Sequence, residues 1–447
     1  MKKVLLVALG STARADCLAE AIEKSADADL YSYIQSPNPS VIRRSKSHCL
    51  GKLDDFASLK NFAKQVKPDL AIISPDYAIA IGVADVLAEL EIPSFGPKKS
   101  LARLESSKAF TRNLMDRYEI EGSPEHKVFD SIDGIKDYMI YLKDFVVKPD
   151  GLTGGKGVRV FGEHMKTIDE ALKYCGEILN AKSKVVIEKR LEGEEFSVQF
   201  FTDGRTVLSP PIVQDHKRAY DGDKGPNTGG MGSYSAANHL LPFLTKADLN
   251  QAEHMTHKVA FALKEELNEY FRGIMYGGFM LTADGVKLIE YNARFGDPEI
   301  MNILPILKND FVEVCDAAAN GHLSRIKLQF EEKATVCKYA VPEGYPEHPK
   351  KGEIVDISEL ANSSVKYYLG AVEEFDEASP WKLRMGSSRA VACVGIADSI
   401  EEAEQIAEHT MRQVKGPVFH RKDIGTKELI RKRINHIAEL RSRAKRF

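Results

Sequence analysis

Lys148-Pro149-Asp150-Gly151-Leu152-Thr153-Gly154-Gly155-Lys156-Gly157-Val158 is the stretch on which the reading of the fold turns. It lies between two short apolar runs, Phe145 to Lys148 and Val158 to Phe161, so it reads as a hairpin-like connection with four glycines and two lysines. Glycines let a backbone come close to a ligand and present successive N–H groups to an anion. Lysines add positive charge for phosphate oxygens. The G-x-x-x-x-G-K-[ST] spacing is missing and no helix follows directly, so this is not a Walker A loop. A plain flexible turn is the competing reading, and the two lysines favour phosphate binding.

Three further stretches follow it in the chain. Val186-Ile187-Glu188-Lys189-Arg190-Leu191-Glu192-Gly193-Glu194-Glu195 reads as a strand and a hinge between two sheets. Its backbone donors and acidic side chains suit an adenine edge and ribose hydroxyls; a solvated acidic loop has the same composition. Gln214-Asp215-His216-Lys217-Arg218 leads into Gly225-Pro226-Asn227-Thr228-Gly229-Gly230-Met231-Gly232, a basic cluster and a glycine-rich loop. Such a loop can fold over a polar substrate and exclude water, although an ordinary turn uses the same residues. His216 reads as a surface histidine without a catalytic role. The last stretch is Glu290-Tyr291-Asn292-Ala293-Arg294-Phe295-Gly296-Asp297-Pro298-Glu299. Residues two apart on a strand share a face, so Glu290 and Asn292 offer two oxygens to one space. That suits Mg²⁺, which takes a few protein oxygens plus nucleotide phosphates. Arg294 shares the face if the strand continues, and can grip an oxyanion bidentately. A solvated edge strand is the alternative; the apolar run Val286 to Ile289 weighs against it.

Around these stretches the first hundred residues alternate strands (Val4 to Ala8, Leu70 to Ser74) with helical patterns (Asp16 to Ser25, Ile79 to Leu90), which predicts a parallel sheet with helices on its faces. Leu101 to Tyr118 reads as one helix carrying Ser107-Lys108. Ile168 to Asn180 and Lys246 to Phe271 are helical, and short β patterns return after Ala334. The fold class is therefore mixed, α/β followed by α+β. With 447 residues the chain has room for three or four compact units, and 43% hydrophobic with 28% charged residues is ordinary for a globular protein. A formal net charge of −3 supplies no global field toward nucleic acid or a membrane. The basic stretch from Lys427 to Phe447 reads as a solvated helix face. The cysteines at 17, 49, 175, 315, 337 and 393 include no C-x-x-C pair and read as small buried hydrophobes of a reducing compartment. The run Val4-Leu5-Leu6-Val7 is too short for a signal segment, and a cytoplasmic location is expected.

Taken together and in this order, these stretches resemble the ATP-grasp fold, and more narrowly the phosphoribosylamine–glycine ligase family. Gly96-Pro97, Ser107-Lys108-Ala109-Phe110 and Arg421-Lys422-Asp423-Ile424-Gly425 also fall where that family places them. The resemblance implies a Rossmann-like N-terminal domain (1–103), a linking helix and start of the core (104–126), an ATP-grasp lid (127–192), a large ATP-grasp subdomain (193–330), a β-rich C-terminal domain (331–426) and a basic helical tail (427–447). It implies ATP held by Lys108, Lys148, Gly154, Gly155, Lys156, Gly157, Glu188 and Glu195, and Mg²⁺ or Mn²⁺ on Glu290 and Asn292. It assigns Gly10, Arg14, Asp215, Lys217, Arg294, Gly296, Asp297 and Pro298 to the glycine and phosphoribosylamine pocket, with Arg294 and Lys148 as catalytic residues. A monomer acting on small molecules, with no nucleic-acid or membrane partner, is expected. The family's first turn reads Gly-Ser-Gly-Gly-Arg-Glu-His-Ala-Leu. Here Gly10, Ser11, Arg14 and Leu18 agree, while Thr12, Ala13 and Asp16 are expected to alter the amine-substrate side, as is Ser74-Pro75-Asp76 in place of Gly-Pro-Glu. A ligase for another amine or acid, and a nucleotide-binding relative without catalysis, are the rival readings.

Overall fold

The computed structural model describes residues 1–152, 157–361 and 364–444. The expected phosphate contacts Gly154, Gly155 and Lys156 lie outside the described residues.

Strands Lys2–Ala8, Ala28–Ile34, Ser47–Leu50, Leu70–Ile73 and Ser94–Phe95 form one parallel sheet. Lys2–Ala8 is central, with Ala28–Ile34 on one side and Leu70–Ile73 on the other. Val4 to Ala8 are fully buried, as expected for a strand covered by helices on both faces. The strand order reverses beside Lys2–Ala8, and the crevice beyond the carboxyl ends of strands at such a point is a natural ligand site. Gly10 and Ser74-Pro75-Asp76 stand there. Two helices expected to be continuous are broken. Ile79 to Leu90 splits into Asp76–Ile81 and Val83–Ala88 at Gly82, which has φ +98°. Leu101 to Tyr118 splits into Lys99–Ser106 and Lys108–Arg117 at Ser107, which is extended and accepts from Phe110 N. Serine competes for backbone donors, so it favours a cap over a helix interior.

The lid sheet runs His126–Phe129, Val185–Lys189, Phe145–Pro149, Arg159–Val160, all antiparallel. Val146 faces Val160 across the glycine-rich connection, which is the predicted hairpin. Helices Ile135–Leu142 and Ile168–Asn180 cover the sheet. Phe145, Val147, Ile187, Met139 and Cys175 belong to a lid core separate from the main core. A unit with its own core can move as a body.

The large subdomain is built on antiparallel strands Glu194–Thr202, Gly273–Thr282 and Gly285–Asn292, backed by helix Lys246–Leu267. That helix starts in a Thr245/Asp248 capping box and stops at the left-handed Asn268, short of the expected Phe271. A further sheet joins Gln214–Asp215 and Gly232–Ser235 to Ala334–Pro342, Val391–Ala397 and Lys366–Leu369, so hydrogen bonds tie the glycine-rich loop region to the C-terminal domain. Helix Lys427–Ala444 closes the chain. No helix among the described residues is long and apolar enough to cross a membrane.

Candidate active site

A cleft of about 730 Å³, mouth included, opens between the lid, helix Lys108–Arg117 and strand Gly285–Asn292. Lys108, Thr111 and Arg112 line it because positions i, i+3 and i+4 share a helix face. Lys108 Nζ donates to Gly151 O at 3.0 Å, at the foot of the glycine-rich loop. Asp150 accepts from Ser107 Oγ and Ala109 N at 3.0 and 3.1 Å, so the break at Ser107 docks this loop. Lys148 pairs with Val186, which puts Glu188 diagonally opposite on the same sheet face. The Lys148 ammonium lies 2.6 Å from Glu188 Oε2, and Arg112 Nε donates to Oε1 at 2.7 Å. Burial pushes the Glu188 carboxyl up, but Arg112 and Lys148 bring it down to about 2. Arg112 also donates to the carbonyls of Leu288 and Ile289 at 3.1 and 2.8 Å, fastening lid, helix and strand. Sequence reasoning missed Arg112: a single arginine in a helix carries no motif.

Glu290 and Asn292 share one face of strand Gly285–Asn292, while Tyr291 points into the core and meets Thr256. The strand ends at Asn292, yet Arg294 lines the same cleft. Its Nη2 donates to Asn292 Oδ1 at 3.1 Å and lies 3.0 Å from Glu105 Oε1. Glu105 also accepts from Ala293 N at 2.8 Å, so this buried carboxylate, absent from any motif, sets where Arg294 points. Asp76 lines this cleft too. Burial pushes the Glu290 carboxyl up, but Lys217, Lys108, Lys148 and Arg294 hold it below the usual range. Glu290 accepts no hydrogen bond from the described residues. A charged, uncommitted carboxylate beside an amide oxygen is the donor set of a hard divalent cation. Among the described residues no group of three His, Cys, Asp or Glu could hold a metal, so an ion here would need further oxygens from a ligand.

A smaller cleft adjoins the first and shares Ile289 and Glu290 with it. Glu195, Asp215, Lys217 and Tyr276 line it. Lys217 Nζ lies 3.0 Å from Glu195 Oε2, and Glu195 raises its pKa. Burial drives the Asp215 carboxyl well up, with Glu299 adding to it. His216 is not a surface residue: it is 2% exposed, its Nδ1 lies 3.3 Å from Gly232 O, and burial together with Arg421 lowers its pKa to about 3.

Behind Arg294, Arg14 Nη1 donates to Phe295 O at 2.7 Å, and Arg294 Nη1 reaches the same oxygen at 3.2 Å. Two guanidiniums therefore converge there, and the Nε atoms of both are buried without a hydrogen-bond partner among the described residues. Gly296 N donates to Gln199 Oε1. Asp297 Oδ1 accepts from Tyr339 OH at 2.5 Å. Pro298 packs beside Gly230, where an added Cβ would stand 2.6 Å from both Pro298 Cδ and Asp215 Oδ1. Gly10 has φ +83°, and a Cβ added to it would stand 1.8 Å from Ser36 O, so its place is a close backbone approach. The expected effect of Asp16 on the amine side is not what its contacts show. Its side chain accepts from Leu369 N at 2.8 Å and lies 3.5 Å from Arg44, at the seam with the C-terminal domain. Thr12 caps helix Ala13–Glu23 through its hydroxyl.

Residues 2–105 match the phosphoribosylglycinamide synthetase N domain, 106–300 its ATP-grasp (A) domain and 335–427 its C domain. The phosphoribosylamine–glycine ligase of Methanocaldococcus jannaschii is 48% identical, over 98% of this chain and all of its own. The chain belongs to the phosphoribosylamine–glycine ligase family. It is an ATP-grasp ligase of purine biosynthesis. The ligase resembles the solved phosphoribosylamine–glycine ligase of Thermotoga maritima with a TM-score of 0.77 at 27% identity, covering 94% of this chain and 99% of that one. It shares its fold with the biotin carboxylase domain of the Hydrogenobacter thermophilus 2-oxoglutarate carboxylase, at a TM-score of 0.68 and 14% identity, over 98% and 94% of the two chains.

Proposed function

We propose that the protein joins glycine to phosphoribosylamine through a glycyl phosphate, releasing ADP, phosphate and glycinamide ribonucleotide. The observation that carries this reading is the shared wall of the two clefts: Glu290 faces both, so a nucleotide in one would present its terminal phosphate to an acid in the other. A carboxylate is a poor electrophile because its charge repels an amine, and phosphorylation gives it a leaving group. Lys108 and Lys148 bind phosphate oxygens, together with Gly154, Gly155, Lys156 and Gly157. Glu188, in the first cleft, serves the nucleoside end; Glu195, expected there too, lines the smaller cleft and pairs with Lys217. Glu290 and Asn292 hold Mg²⁺ or Mn²⁺, which when bound neutralises phosphate charge. Arg294, braced by Glu105, grips the acyl phosphate, and Arg14 with Asp215, Lys217 and the turn Gly296-Asp297-Pro298 positions the acid and amine. Positioning and electrostatics suffice for such chemistry, and no side-chain nucleophile takes part. Closure of the lid keeps water from the acyl phosphate. We place the enzyme, as a monomer, in the cytoplasm.

The test is ADP release from ATP and Mg²⁺ with glycine, with and without phosphoribosylamine generated in situ. Release requiring both, with a product of the mass of glycinamide ribonucleotide, is expected. Glu290→Ala should lower turnover by about 10²-fold or more with the fold intact. ATP binding without release sinks the reading, and release with another amine alone moves the acceptor assignment.

A further inference from the structure

The C-terminal domain sends one cation into the acceptor side. Arg389 precedes strand Val391–Ala397, and its own carbonyl accepts from Ala371 N at 2.8 Å, which fixes its backbone. Its Nη1 donates to Gly229 O at 2.7 Å, Gly230 O at 3.0 Å and Asp297 O at 2.7 Å, and lies 3.3 Å from Asp297 Oδ1. The guanidinium stacks over the Tyr339 ring, 4.6 Å from its centroid, and Tyr339 OH donates to the same Asp297 Oδ1. On its other side it lies against Gly229, where an added Cβ would sit 3.2 Å from its Cζ and Nη2. The Arg389 side chain is only 13% exposed. A buried cation shared by three carbonyls and a carboxylate cannot be replaced by water without leaving those oxygens short of donors.

These four oxygens belong to two segments far apart in sequence, the glycine-rich loop and the turn after Arg294. Tyr339 also bridges the two segments, its N donating to Met231 O at 3.0 Å and its OH to Asp297 Oδ1, and Pro298 packs on Gly230. Among the described residues, though, the Gly229 and Gly230 carbonyls accept from Arg389 alone, while Gly230 N turns inward to Thr228 Oγ1 and Gly229 N reaches Tyr345 OH at 3.5 Å. We infer that Arg389 is a positioning residue, which latches the glycine-rich loop onto the 296–298 turn and so lets the C-terminal domain shape the amine-substrate pocket. The inference rests on the reading of that pocket given above. It separates the two halves of the reaction: Arg389 has no part in holding the nucleotide, and its loss weakens the amine site alone. Lysine can supply a point charge to one or two of the oxygens but not a planar group stacked between Tyr339 and Gly229.

The experiment uses the full-length enzyme and the variants Arg389→Gln and Arg389→Lys. In Arg389→Gln the KM for phosphoribosylamine should rise by about tenfold or more, with the KM for ATP within about twofold, and Arg389→Lys should recover part of the loss. Amide hydrogen exchange at residues 229–231 should accelerate by about tenfold in Arg389→Gln, while strand Phe145–Pro149 exchanges as before. Equal rises in the KM of every substrate, or unaltered exchange at 229–231, would overturn the inference. If the unaltered enzyme does not turn over at all, the functional reading fails, and the exchange measurement still decides the role of Arg389. If Arg389→Gln does not fold, the lysine variant is read by the same two criteria.

Discussion

At the scale of single residues, the site depends on side chains that hold other side chains. Arg294 is aimed by Glu105, and Lys148 is neutralised by Glu188, which Arg112 also grips. Neither Glu105 nor Arg112 is marked by spacing or glycines, because their partners lie far away in sequence. Asp16 teaches the converse. In the chain it sits inside a turn associated with substrate, but its hydrogen bond to Leu369 N and its approach to Arg44 make it a seam residue. Asp16→Asn should therefore leave the KM for phosphoribosylamine within about twofold, and lower the melting temperature by a few degrees through the lost ion pair. A tenfold rise in that KM with unchanged melting would return Asp16 to the pocket.

At the scale of elements, one strand pair and one helix break build the first cleft. The diagonal of Lys148 and Glu188 follows from the antiparallel register of Phe145–Pro149 with Val185–Lys189, and Arg112 brings the helix to it. The Glu188 carboxyl falls from its ordinary value near 4.5 to about 2 in the folded protein. A depressed acid contributes stability that is fully present above its unfolded value and lost as pH falls through the folded one. Glu188→Gln should be clearly less stable than the parent at pH 6, because Arg112 and Lys148 lose their counter-charge. The gap between the two melting temperatures should narrow between about pH 4.5 and 2. A gap constant with pH would remove Glu188 from this account.

At the scale of the whole molecule, three parts of the chain meet at Asp297: Arg14 N from the N-terminal domain at 3.4 Å, and Tyr339 and Arg389 from the C-terminal domain. The closing helix Lys427–Ala444 adds a strap. Arg433 and His436 reach Glu194, one residue before Glu195 of the site, and Arg433 also reaches Asp223. Its Leu429, Ile437 and Leu440 are buried. Ending the chain at Thr426 removes these three buried apolar side chains and exposes the surface they cover, which at about 1.5–3 kcal/mol each costs on the order of 5 kcal/mol. It also leaves Glu194 buried without its cation. The truncated protein should melt at least several degrees lower, as calorimetry would read, and an unchanged melting point would show that the helix is no strap.

What the sequence by itself determined is local. Apolar runs without polar interruption set the central strand, the short apolar runs flanking 148–158 set a hairpin, and the alternation Glu290, Asn292 set two oxygens on one cleft. These signals are short-range, since backbone freedom, charge and side-chain alternation act within a few residues. The helix breaks at Gly82 and Ser107 lay beyond periodicity, because each is stabilised by its own cap geometry and, at Ser107, by Asp150 from the lid. Only the tertiary structure decided that His216 is buried, that Asp16 faces a domain seam, that Glu105 and Arg112 line the cleft, and that Arg389 bridges Gly229, Gly230 and Asp297. A charged group becomes a site residue when distant partners desolvate and pair it, and that pairing exists only once the domains have packed.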